Sequence, residues 1–211
     1  MLNSNFLHFT KIQISSLSQI VWLQLLCIVL YPMYFNQINI NNDRANVIVF
    51  AVGLLMLSYL LLRNFAFNDA KYKTKFLFCL LPVTPTIIIG ARGIILYLFC
   101  LVATPLIILF SHINHAIKPD MFAIVQTAIV PDGLLFVALF LPLEFLIFYL
   151  FEAQKSDIIG VLALFPAMGL MLLLYPVMQS SLWIVVLMIA IFFNVMSLRF
   201  SRTLYQRNID R

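Results

Sequence analysis

The chain has 211 residues, of which 64% are hydrophobic and 10% are charged, and its formal net charge is +5. Its mean hydropathy is +1.05, whereas soluble domains carry about a quarter charged residues, so water is not the solvent for most of this chain. The basic residues stand in short clusters between apolar runs rather than on a surface interleaved with aromatics, which argues against nucleic acid as a partner.

Six apolar runs are each long enough to cross a hydrocarbon layer of about 30 Å at a rise of about 1.5 Å per residue. They lie near residues 17–35, 47–66, 93–110, 133–151, 158–176 and 182–198. Lipid offers no partner for backbone amides, so runs of this kind in a single chain cross as α-helices. The sequence therefore predicts an all-α integral membrane protein in which 1–211 form one domain with six transmembrane helices.

The segment ahead of the first run, residues 1–16, places Leu2, Phe6 and Phe9 on one face of a short helix. This pattern is typical of an amphipathic segment lying along the inner membrane surface, with a disordered tail as the alternative. No small-residue cleavage site follows the first run, so the first span is expected to be retained.

A seventh apolar stretch, Phe76–Ala91, lies between a lysine cluster at 71–75 and Arg92. Crossing the membrane would put these charges on opposite sides. Pro82 and Pro85 also remove amide hydrogens that a continuous helix needs. The stretch is therefore predicted to stay on one side of the membrane as an interfacial segment.

Basic residues orient the predicted helices, since short cytoplasmic loops retain Lys and Arg. Eleven of the thirteen fall on one side: Lys11, Arg63, Lys71, Lys73, Lys75, Arg92, Lys155, Arg199, Arg202, Arg207 and Arg211. The other side holds Arg44 and Lys118. Both termini are therefore predicted to be cytoplasmic, with 67–92 as an inner loop and 199–211 as an inner tail.

The inner loop contains a pattern typical of a short basic helix. Asp69 can cap its start, and Pro82 can end it. The residues Tyr72, Phe76, Cys79 and Leu80 then share one side at helical spacing, with the lysines on the flank. Two interpretations are open: the lysines face anionic lipid headgroups, or a partner protein docks on this helix.

The order of features after the second span resembles that of ABC transporter permeases of the type-2 exporter family. An acidic residue and a lysine cluster precede a short helix, and a Leu-Pro step, an apolar stretch and a basic residue follow. The matching residues are Asp69, Lys73, Lys75, Leu81, Pro82 and Arg92. A second stretch, Leu141–Leu162, is similar to the end of the fourth span and the following inner loop in small six-helix members. The chain departs from the family pattern at Phe76–Leu81, which is nearly all apolar, and at Val83–Thr86, where a basic or polar residue is common.

The resemblance implies that the short helix is a coupling helix that rests in a groove of a separate cytoplasmic ABC ATPase subunit. The residues assigned to this contact are Asp69, Lys71, Tyr72, Lys73, Lys75, Phe76, Leu80, Leu81 and Pro82. It also implies that the partner ATPase binds ATP and Mg, and that a second copy or a homologous permease completes the path. No glycine introduces the Lys-Ser or Lys-Thr of a phosphate-binding loop, so this chain is expected to bind no cofactor itself.

Glu144 is an isolated charged residue inside the fourth apolar run. It follows Asp132, interpreted as a cap at the outer end of the fourth span, by about 18 Å of helix. An ionised carboxylate at that depth costs at least about 2.5 kcal/mol, so Glu144 is expected to face the bundle, a polar partner or a wet path. Two interpretations are open: a pathway-lining residue that meets substrate, or a neutral or hydrogen-bonded carboxyl in a helix bent at Pro142.

The sequence indicates structural roles for the remaining polar side chains and cysteines. His112 and His115, followed by Asp120, lack a fourth ligand, which favours an outer loop over a metal site. The cysteines, which show no metal or redox spacing, are interpreted as small apolar fillers: Cys27, Cys79 and Cys100. The intramembrane amides are expected to join helices: Gln19, Gln24 and Asn194.

These observations predict the transmembrane subunit of an ATP-driven ABC exporter in a bacterial cell membrane. Its partners would be the ATPase, a second permease, membrane lipids and a hydrophobic or amphipathic substrate. A peptide is named as substrate only because the chain resembles small permeases of bacterial peptide exporters. Two alternatives stay open: an immunity or assembly factor that binds a peptide or lipid without transport, and an intramembrane enzyme, which the scattered polar residues disfavour.

Overall fold

The structure, a computed structural model, describes residues 25–30, 43–71, 84–120, 124–150, 166–177, 180 and 182–209. All regular structure within these ranges is helical. The helices are α1 (Asp43–Lys71), α2 (Pro85–Ile117), α3 (Val130–Leu150), α4 (Pro166–Val177) and α5 (Trp183–Ile209), and residues 25–30 are also helical. A short 3-10 turn, Thr127–Ile129, leads into α3.

Four of these helices are long and apolar enough to cross a membrane. Their candidate spans are Ala45–Phe65, Thr86–Ile117, Thr127–Leu150 and Trp183–Tyr205. The chain is thus a multi-pass helical membrane protein, as predicted. The segment 1–16, most of the predicted first span and residues 158–165 of the predicted fifth span fall outside the described residues, so the number six and the cytoplasmic termini stay predictions.

Helix α2, which corresponds to the predicted third span at 93–110, begins at Pro85 rather than at residue 93. No helix runs through Pro85, which agrees with the predicted interruption; this proline lies in the first turn of α2, where its missing amide hydrogen would have no partner anyway. Thr84 precedes it in extended conformation, with φ −73° and ψ 148°. Arg92 therefore lies about two turns inside a helix and not in a loop.

Two other helices extend beyond the apolar runs that mark them. α1 continues to Lys71 and α5 to Ile209, so the predicted loop 67–92 and tail 199–211 are partly helical. Hydropathy marks where the apolar layer ends, whereas a helix continues as long as each added residue gains a backbone hydrogen bond.

The contacts between helices define their relative directions. α5 meets α3 where Asn194 bonds to Ala138 and again where Tyr205 packs on Tyr149, so these two helices run in the same direction. The chain between them must therefore return across the bundle, as the predicted fifth span 158–176 would do.

α2 runs in the opposite direction to α1. Ser58 of α1 meets Cys100, whereas Phe65, further along α1, meets Arg92, which is earlier in α2. The direction of the chain thus reverses between the second and third predicted spans.

A glycine sets the closest approach of α1 and α3. A Cβ atom on Gly133 would overlap the ring of Phe50, which is fully buried. Small residues of this kind allow helices in membranes to pack closely, because lipid supplies little hydrophobic drive for association.

A proline inside α3 is compensated by α5. Pro142 has no amide hydrogen, so the carbonyl of Ala138 loses its usual helical donor. Asn194 Nδ2 donates to this carbonyl oxygen at 2.9 Å, and Ser197 Oγ donates to the carbonyl oxygen of Pro142 at 2.6 Å. Tyr97 of α2 donates its hydroxyl hydrogen to Asn194 Oδ1. The prediction that Asn194 joins helices is confirmed.

Substituting Gly133→Ala is expected to lower the free energy of unfolding by about 1–3 kcal/mol, since the added methyl group overpacks the interface. Thermal unfolding in detergent micelles measures the loss. Gly169→Ala in α4 is the matched control, because no heavy atom of the described residues lies within 4 Å of its added carbon. The control should be neutral or stabilising by up to about 1 kcal/mol through helix propensity. Equal unfolding temperatures for the two variants would contradict the close contact.

Substituting Asn194→Leu is expected to cost about 1–2 kcal/mol, because the Ala138 carbonyl and the Tyr97 hydroxyl lose their partner. In a Pro142→Ala background the same substitution should cost less, since the restored amide at 142 can donate to Ala138. Unfolding by SDS titration gives all four free energies of this cycle. The same cost in both backgrounds would show that Asn194 does not compensate for the proline.

Candidate functional site

Polar side chains are buried between the helices at several levels of the described bundle. They are Ser58, Asn64, Arg92, Thr104, Ser111, Glu144, Ser197 and Ser201. Burial of such groups in a membrane protein is costly, so their positions mark the places where structure or function requires them.

A cavity of about 170 Å³ lies where α2, α3 and α5 meet, beside the Asn194 junction. Gly90 and Gly93 form part of the α2 wall, where they leave space that side chains would fill. Ile94 and Leu198, which are 45% and 40% exposed, also line it. The wall is almost entirely apolar, so the cavity suits an aliphatic or aromatic group rather than a charged one.

The most buried charge is Arg92, with 1% of its surface exposed. Its Nη1 donates to the hydroxyl oxygen of Tyr149 at 3.2 Å, and its Cζ lies 5.3 Å from the ring centroid of Phe65. Tyr149 packs edge-on against Tyr205, with 5.9 Å between ring centroids. We call these four residues the Arg92 layer. A desolvated cation over an aromatic ring is worth about 2 kcal/mol, so the layer ties α1, α2, α3 and α5 together.

Glu144 lies on α3 and is 5% exposed, which confirms that it faces the bundle. Neither carboxylate oxygen has a hydrogen-bond partner among the described residues. Cys100 of α2 lies close enough to interact with it electrostatically, and Ser58 Oγ is 3.1 Å from the Cys100 sulfur. Glu144 does not belong to the described lining of the cavity, and its role in a pathway stays a prediction.

Most of the residues assigned to ATPase coupling lie outside the described residues: Tyr72, Lys73, Lys75, Phe76, Leu80, Leu81 and Pro82. Asp69 and Lys71 belong to the last turn of α1. Asp69 therefore lies inside α1 and not at the start of a helix, so the prediction that it caps a helix start is wrong. The physical reason is that α1 continues past the apolar run into the polar sequence that follows.

The other predicted polar sites are placed as follows. Asp132 lies in the first turn of α3, beyond the cap position, where a carboxylate still interacts favourably with the helix dipole. His112 and His115 lie in the last two turns of α2, ahead of Asp120. In the part of the chain that the structure describes, no cluster of three or more His, Cys, Asp or Glu residues is placed to hold a metal ion.

Sequence reasoning missed the Arg92 layer, because Arg92 was assigned to a loop. The signal that could have identified it was Pro85, a residue favoured in the first turn of a helix, followed by an unbroken apolar pattern around a single arginine. The pairing of Arg92 with Tyr149 depends on the tertiary packing and has no local signal.

Comparison with known proteins identifies the family. A family model described as ABC-2 family transporter protein matches residues 11–206. No curated protein and no solved structure matches the chain significantly. The match includes residues 67–92, the Arg92 layer and Glu144, and it confirms the resemblance to type-2 permeases. Because it spans nearly the whole chain, this protein belongs to the ABC-2 family of transporter permeases.

Proposed function

We propose that this chain is the transmembrane subunit of an ATP-driven exporter that moves a hydrophobic or amphipathic substrate, such as a peptide, out of a bacterial cell. The observation that carries the proposal is the ABC-2 family match over residues 11–206. A permease of this family is a membrane component that works with an ATPase subunit, which would bind ATP and Mg. A second copy or a homologous permease would complete the path.

The connection between α1 and α2 is the proposed docking site for the ATPase. Residues 72–83 join the two helices, and each helix contributes to the Arg92 layer: Phe65 from α1 and Arg92 from α2. A partner that displaces this connection would therefore move both sides of one buried contact. The proposed docking residues are Asp69, Lys71, Tyr72, Lys73, Lys75, Phe76, Leu80, Leu81 and Pro82.

The apolar lining of the cavity supports the proposed substrate class. The cavity between α2, α3 and α5 has almost no polar surface, so it favours aliphatic or aromatic groups. Glu144 is the proposed pathway residue, exposed to the path when the helices rearrange.

Copurification with the ATPase tests the docking assignment. Exchanging Tyr72→Glu and Phe76→Glu together should abolish stoichiometric recovery of the ATPase, because two carboxylates replace the apolar docking face. The matched control is His112→Glu with Lys118→Glu, two exposed positions at the opposite end of α2, which should leave recovery unchanged. Gel filtration in detergent checks that both variants are folded. Full recovery with the Tyr72 and Phe76 variant would remove the docking role.

Thiol labelling tests the position of the proposed coupling segment, residues 67–92. In a variant carrying Cys27→Ala and Cys100→Ala, Cys79 is the remaining cysteine. A membrane-impermeant maleimide should label it in inside-out vesicles and not in intact cells, because the segment is proposed to stay on the inner face. A cysteine introduced at Lys118 should show the reverse. Labelling of Cys79 from outside would overturn the proposed topology.

A further inference from the structure

Glu144 is buried in α3, and neither of its two carboxylate oxygens has a hydrogen-bond partner among the described residues. We propose that Glu144 is a proton-binding site that holds its proton while α3 is packed against its neighbouring helices, and releases it when these helices separate. The proposal rests on the packing around the carboxyl group and does not depend on the exporter assignment.

Ser58 and Cys100, on the helices beside this carboxyl, already use their hydrogens in other bonds. Ser58 Oγ donates to the carbonyl oxygen of Leu54 at 2.8 Å, which leaves the hydroxyl oxygen as an acceptor. The thiol of Cys100, 3.1 Å away, is therefore the donor to Ser58. The titratable group that interacts electrostatically with Glu144 is this same thiol. Neither side chain has a proton left to stabilise a carboxylate.

Positive charges are also engaged elsewhere. Arg92 on α2 donates to the hydroxyl of Tyr149. Arg63 on α1 and both Arg199 and Arg202 on α5 are exposed. Within the described ranges no basic side chain donates a hydrogen bond to either Glu144 oxygen.

Among the described residues no tyrosine hydroxyl donates to the carboxyl group, since neither Glu144 oxygen has a hydrogen-bond partner there. The Tyr97 hydroxyl donates to Asn194, and the Tyr149 hydroxyl accepts from Arg92. Tyr205 packs edge-on against Tyr149. A buried carboxylate with neither donor nor counter-charge is strongly unfavourable, whereas a neutral carboxyl is tolerated, so Glu144 carries its proton in this packing.

Separation of the helices would change the proton count. A carboxyl group in contact with water ionises above about pH 4.3, so an open arrangement loses the proton at neutral pH. The packed form binds one proton more than the open form. Rising pH therefore favours the open form, by at most about tenfold in the equilibrium constant per pH unit, and acid favours the packed form.

Dicyclohexylcarbodiimide tests this directly, because it enters apolar interiors and reacts with protonated carboxyl groups. The acid hydrogen passes to a reagent nitrogen and the carboxyl oxygen bonds to the central carbon. Rearrangement then gives an N-acylurea, with no atom lost. Peptide mass spectrometry of the purified full chain at neutral pH should find one whole reagent molecule added at Glu144. Addition should slow as pH rises, and Glu144→Gln should show none at this position.

A water-soluble carbodiimide is the control reagent. It should modify Asp132, at the partly exposed start of α3, in preference to Glu144. Failure of the hydrophobic reagent to modify Glu144 in folded protein at neutral pH would overturn the proposal, because it would mean that the carboxyl is ionised or bound to a cation.

Thermal unfolding of Glu144→Gln provides an independent readout. The amide resembles a neutral carboxyl in shape, so the variant should unfold at the same temperature as the unaltered protein in acid and at a higher temperature in alkali. A variant that is less stable than the unaltered protein at neutral pH would instead show that Glu144 is a paired carboxylate, and the proposal would be wrong.

Discussion

A polar group inside a membrane protein must find its partner within the protein, because the surrounding hydrocarbon offers none. This chain meets the constraint in two ways. Some hydroxyls bond to a carbonyl of their own helix, as Ser58 does with Leu54 and Thr104 with Cys100. Others cross to a neighbouring helix, as Asn194 does with Ala138. A bond within one helix satisfies the polar group but does not depend on the neighbouring helices. Only the bonds between helices fix how the bundle is assembled.

Several of the bonds between helices meet where the backbone of α3 departs from the regular helix. Pro142 leaves the carbonyl of Ala138 without its helical donor, and α5 supplies Asn194 and Ser197 at that point. The proline thus creates an acceptor that only one register of α5 can satisfy. Near the start of α3, Gly133 allows contact with Phe50 that any larger residue would block. Sites that weaken α3 as an isolated helix thereby specify its neighbours.

Hydropathy predicts the existence of the long helices well, because a run of apolar residues has few alternatives in lipid. Helix ends are harder to predict, since they depend on backbone hydrogen bonding rather than on apolar character, as α1 and α5 show by continuing into polar sequence. Pro85 is ambiguous from sequence, because the same residue breaks a helix in its interior and starts one in its first turn. The burial of Glu144 was predictable from its cost in lipid. The partners of Arg92 were not, because they lie on other helices and no local pattern encodes which faces meet.

Arg92 and Glu144 show how two charges meet the same constraint differently. A guanidinium group cannot lose its charge under physiological conditions, so burying it requires partners that accept hydrogen bonds or face it with π electrons. Arg92 has Tyr149 and Phe65, contributed by two different helices. A carboxyl group can become neutral by binding a proton, so it can be buried without such partners. The Arg92 layer can therefore hold helices together across the physiological pH range. The packing around Glu144, in contrast, requires that the carboxyl group stays protonated.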